Sequence, residues 1–177
     1  MNHKQYRMKK LLLSLLLALP LCGFAQKGMQ GVGFSFGVGS GVPLDYGISA
    51  LTSLSGNFNY QRNLGNKFRL VPSIGLFIAE YDWGESYSTA NFFHLAADAH
   101  YFLTLPKRLR PYVIAGVLYE TGDGGEIDEA GYNFGFKFGL GLDYRLGYHF
   151  AMQLEIPLNV TFLYPNFMPT LGLAYTF

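Results

Sequence analysis

The chain has 177 residues, of which 50% are hydrophobic, 17% aromatic and only 14% charged, with a formal net charge of +1. Soluble domains carry about 25% charged residues, so an ordinary water-facing globule is disfavoured. One cysteine excludes a disulfide framework within the chain.

The N-terminus comes first. Lys4, Arg7, Lys9 and Lys10 precede the apolar run LLLSLLLALPL at 11–21, and Gly23 and Ala25 place small residues before a cut between Ala25 and Gln26. This pattern is a secretory signal peptide. The apolar run is shorter than the roughly 20 residues of a membrane-spanning helix, and Leu21 before Cys22 is too bulky for a lipidation site. Removing residues 1–25 leaves 152 residues (26–177), one domain without cysteine. Nine basic residues then face twelve acidic ones, a net charge of −3, which argues against nucleic acid.

Eight segments follow in which large apolar residues alternate with small or polar ones, the period-two signature of a strand. Val32, Phe34, Phe36 and Val38 open the series, and Leu54, Phe58 and Tyr60 form the second segment. Phe68, Leu70, Ile74, Leu76 and Ile78 form the third; Phe93, Leu95, Ala97, Ala99, Tyr101 and Leu103 form the fourth. The fifth, PYVIAGVLYE at 111–120, is apolar on both faces, so its outward face stays unassigned. The sixth, GYNFGFKFGLGLDYRLG at 131–147, sets seven aromatic or leucyl groups against glycines and three charges. Phe150 to Val160 carry the seventh, and Leu171, Leu173, Tyr175 and Phe177 the eighth. Pro72 and Pro157 fall inside strands, where each removes a ladder donor.

Connections alternate between short (63–67, 104–110, 146–149) and long (40–50, 81–90, 121–131, 161–168). An even number of antiparallel strands with this alternation predicts an all-β, eight-stranded up-and-down transmembrane β-barrel. A soluble barrel would show Lys, Glu and Thr to water. The polar face here is Gly, Ser, Ala and Asn with few charges, which suits a narrow interior. The apolar face therefore meets lipid. Arg69, Lys137 and Arg145 then point inward with Asp98, Asp143 and Glu155, and buried charges persist only when paired. An internal ion-pair network is expected, completed by His94, His100, Asn57, Asn59 and Gln153. A narrow conducting path lined by the same charges is the alternative.

With these features in place, the chain resembles the small OmpA/OmpX-type outer-membrane β-barrel proteins, grouped with porin-like outer-membrane barrel domains. RPYVIAGVLYE at 110–120, FGFKFGLGLDYRL at 134–146 and the ending LGLAYTF at 171–177 carry the resemblance. It implies an integral outer-membrane location. It also implies a terminal assembly signal, matched by Leu173, Tyr175 and Phe177, for the barrel-assembly machinery. The partners it implies are outer-membrane lipid and lipopolysaccharide, with a monomeric barrel.

Asp45, Asp82, Glu85, Glu120, Asp123, Glu126, Asp128 and Glu129 make the long loops acidic, while Arg62, Lys67, Lys107, Arg108 and Arg110 gather near the short turns. An acidic outer rim suits divalent cations or a basic partner, or only a solvated loop; its spacing does not match a calcium-binding loop. Tyr81, Trp83, Tyr87, Phe92, Tyr119 and Tyr164 read as interfacial girdles, and TFLYPNFMP is an unusually apolar fourth loop. Lipid A-modifying enzymes occur on this fold and need Ser, His and an acid together. His94 and His100 point inward and His149 sits in a turn, so catalytic, cofactor and metal residues are all expected to be absent.

Overall fold

The computed structural model describes residues 30–41, 49–82, 87–105, 108–123, 133–161 and 165–177. The expected signal peptide and the tips of the long loops, including Asp45, Trp83, Glu85, Glu126, Asp128, Glu129 and Tyr164, lie outside them. The strands are β1 (Gln30–Gly41), β2 (Ser49–Asn63), β3 (Phe68–Asp82), β4 (Tyr87–Phe102), β5 (Leu109–Asp123), β6 (Asn133–Arg145), β7 (Phe150–Thr161), β8 (Pro165–Phe167) and β9 (Thr170–Thr176).

From β1 to β8 each strand pairs antiparallel with the next, β9 pairs with β7, and β1 pairs with β2, β8 and β9, so the sheet closes on itself. β8 and β9 are two pieces of one eighth stave. Phe167 faces Ser40 and Thr170 faces Gly37 in unbroken register, and Pro169, which has no N–H, accounts for the break. Met168 N still donates to Pro157 O (3.2 Å) and Val38 N to Pro169 O (3.1 Å). The ladder beside Pro72 is thinned in the same way, with no bridge between Asn59–Ser73 and Arg62–Leu70.

Register sets the shape. Partners run from Gln30 through Arg62, Leu70, Ala99, Ala115, Phe138, Leu158 and Phe167, then return to β1 at Ser40, ten residues on. Eight staves with that stagger tilt by about 40° and leave a lumen that side chains can fill.

Alternating burial follows. Phe34, Phe36, Val38, Leu76, Phe136, Phe138, Leu140 and Leu154 are exposed on the outside, while Ser53, Ser55, Asn59, Asp98, Asp143 and Gln153 are buried inside. The fifth strand resolves the ambiguity of its sequence: Val113 and Val117 point out, and Tyr112, Ile114 and Leu118 fill the interior. Phe92, expected in a girdle, turns inward instead, its ring 5.5 Å from that of buried Phe77.

The short turns and both described chain ends share one rim. There Lys67 lies over Tyr101 (5.8 Å), Arg108 over Tyr144 (5.1 Å), and the His149 ring stacks on Tyr175 (5.5 Å). At the other rim the strands run past the apolar band. Thr52, Glu80, Thr89 and Asn91 are exposed there, and residues 81–82 and 87–90, expected in a loop, belong to β3 and β4. Once the outer face leaves hydrocarbon its residues need not be apolar, so the alternation stops before the strand does.

Candidate functional site

The polar interior holds the chain's convergent chemistry. Its bonded pairs come from cross-strand register. Arg69 on β3 sits opposite His100 on β4, Arg110 on β5 opposite Asp143 on β6, and Asp143 opposite Gln153 on β7.

Two further pairs span an intervening strand, each above a glycine. Gly116 lies between Asp98 and Lys137, and Lys137 Nζ donates to Asp98 Oδ2 at 2.6 Å. Gly141 lies between Tyr112 and Glu155, and the Tyr112 hydroxyl donates to Glu155 Oε1 at 2.7 Å. A Cβ at Gly141 would strike the Tyr112 ring, and one at Gly116 would strike the Asp98 carboxylate. The glycines therefore make room for their neighbours' side chains.

Asp143, fully buried, is the hub toward the short-turn rim. Its Oδ2 accepts from Arg69 Nη1 (2.8 Å) and Arg110 Nη2 (3.1 Å). Arg69 Nη1 also donates to Gln61 Oε1 (3.0 Å), and the Gln61 and Gln153 amides face each other at 2.9 and 3.2 Å. With the Gln153 amide turned over, its oxygen accepts from Arg69 at 2.8 and 3.1 Å, which satisfies the guanidinium better than its NH2 group would. Arg69 Nη2 lies 2.9 Å from His100 Nδ1. A guanidinium only donates, so that nitrogen accepts and the ring proton sits on Nε2, 3.8 Å from Glu155.

The arginines are also flanked by aromatic rings. Arg110 lies 4.2 Å and Arg69 4.9 Å from the Phe102 ring centre, and His100 stacks on Tyr112 at 4.6 Å.

Of the interior charges expected from sequence, Arg69, His100 and Asp143 come together, Asp98 pairs with Lys137, and Glu155 joins through Tyr112. Arg145 does not join them. Its side chain is exposed at the end of β6, one step beyond the last interior layer. Arg110 takes its place beside Asp143, although its proximity to a short turn suggested the rim. Glu120, assigned to the acidic loop flank, is buried on β5 with Asn133 Nδ2 donating to it at 3.3 Å. Both follow the inward parity of Tyr112, Ile114 and Leu118, a signal concealed by a strand apolar on both faces. Leu173, Tyr175 and Phe177 are exposed on the outer face of the last stave. Among the described residues, no three His, Cys, Asp or Glu side chains converge to hold a metal ion.

Among the described residues, the interior keeps a cavity of about 100 Å³ at the short-turn mouth and smaller spaces of about 30 Å³ around Lys137.

Comparison with known proteins agrees with this architecture. The family model described as "Outer membrane protein beta-barrel domain" matches residues 16–177. No curated protein matches the chain in sequence. Among solved structures, Neisserial surface protein A is similar with a TM-score of 0.65 at 11% identity, covering 84% of this chain and 97% of that one. The attachment invasion locus protein Ail of Yersinia pestis is similar at 0.60 and 13%, covering 86% and 100%. OprG of Pseudomonas aeruginosa is similar at 0.53 and 14%, covering 86% and 98%.

Proposed function

Because the chain belongs to the outer membrane protein beta-barrel domain family, we propose that it serves as a plugged, non-enzymatic barrel with a structural or surface-interaction role. Its place is the bacterial outer membrane, as an integral protein. The observation carrying the plugged reading is the bonded cluster of Arg69, Arg110, Asp143, Gln61 and Gln153, whose side chains reach across the lumen from five strands. Removing any member would leave a buried polar group unpaired, so the cluster resists opening. Outer-membrane lipid and lipopolysaccharide surround the apolar wall, and a single chain closes its own sheet, which supports a monomer. Leu173, Tyr175 and Phe177 act as the signal for the barrel-assembly machinery.

A narrow channel is the second reading, favoured by the interior cavities at the short-turn mouth and around Lys137. Conductance across a planar bilayer separates the two. Refolded protein is expected to give no stable unitary steps, and reproducible channels would overturn the plug. Mass spectrometry of lipid A incubated with the protein is expected to detect no acyl chain gained or lost; either change would establish an enzyme.

A further inference from the structure

Charge is unevenly distributed along the interior. Toward the short-turn mouth stand Arg69, Arg110 and Arg145 with Asp143 as the one carboxylate among the described residues lining the cavity there. Deeper in the lumen the balance reverses, with Lys137 accompanied by Asp98, Glu155 and Glu120. We propose that the mouth cavity is a binding site for a phosphate-type oxyanion, entered from the periplasmic side.

Three features support it. Asp143 spends its Oδ2 on both buried guanidinium groups, which leaves one positive charge in excess, and Arg145 at the entrance adds a second. Arg69 and Arg110, both more than nine-tenths buried, line this one cavity together. Arg145, exposed at the entrance, has no carboxylate within salt-bridge distance among the described residues. A water molecule needs only about 10–15 Å³ of such space, so a cavity of about 100 Å³ admits a tetrahedral oxyanion. Guanidinium groups bind phosphate oxygens through directional, charge-assisted bonds. The carboxylates deeper in the lumen repel an anion, so the site holds it without passing it through.

The same chemistry is offered by free phosphate and by an anionic lipid headgroup at the inner leaflet. The test is calorimetric titration of inorganic phosphate, at constant ionic strength, into protein in phosphatidylcholine nanodiscs. Saturable binding is expected, weakened about tenfold by Arg145→Gln through loss of one charge-assisted contact. It should be unchanged by Arg108→Gln, an exposed cation on the same rim that rests on Tyr144 outside the cavity. In phosphatidylglycerol nanodiscs, loss of the phosphate signal identifies the headgroup as the occupant, and its persistence identifies the free ion. Absence of saturable binding by the unaltered protein in phosphatidylcholine overturns the site. So does equal weakening by Arg108→Gln, because the attraction would then belong to the rim as a whole.

Discussion

Valine at position 141 would drive its branched carbons into the Tyr112 ring, whose hydroxyl bonds Glu155 across that glycine. Overpacking of this kind costs about 1–3 kcal/mol. Gly141→Val is expected to lower the unfolding free energy, from urea titration of protein refolded into lipid vesicles, by that much, whereas Gly147→Val in the turn, where nothing lies within 4 Å of a Cβ, should change it little. Asp143→Ala is the harsher change. It leaves Arg69 and Arg110 buried together without their shared carboxylate, a loss of about 3–5 kcal/mol. The same unfolding measurement checks it, and a midpoint like that of the unaltered protein would mean that solvent screens the pair.

At the scale of the strand, β6 shows what sequence can carry. Its alternation of Phe134, Phe136, Phe138 and Leu140 with Asn133, Gly135, Lys137 and Gly139 specifies the outer face and the inner one, and burial follows it. The inner glycines are legible as small, but their reason is not. Gly141 makes sense only once Tyr112 and Glu155 are known to be its neighbours, and register between strands is not written within either strand. β5 is the converse case: with apolar residues on both faces, neither parity stands out, and Arg110 and Glu120 go unrecognised as interior groups. Arg145 obeys the inward parity yet stands past the last closed layer, where period two no longer implies burial. Leu140 tests the outward assignment. It is 61% exposed on the barrel's wall, and Leu140→Lys should cost about 2–4 kcal/mol near mid-membrane, against about 0–1 for Thr52→Lys close to the interface. Equal costs would remove the distinction between wall and rim.

The whole molecule reverses the usual arrangement of a soluble protein. Its exposed surface is Phe, Leu, Ile and Val, and much of its interior is charged or amide-bearing. Such a surface is stable only if hydrocarbon surrounds it, because strands that leave no free edge satisfy the backbone within the sheet while the wall avoids water. The lumen then needs its own pairings, supplied by Arg69, Arg110, Lys137 and their acidic partners.

The most direct test is to place a nitroxide label, one residue at a time, on single cysteines at positions 133–141 of a chain spanning 26–177, which has no native cysteine, in lipid bilayers. Collision with dissolved oxygen, which concentrates in hydrocarbon, should be high at 134, 136, 138 and 140 and low at the positions between them. A water-soluble nickel complex should reach none of these four outward sites. Ready quenching by nickel at 136 and 138, with no period-two oxygen signal, would contradict a lipid-facing wall.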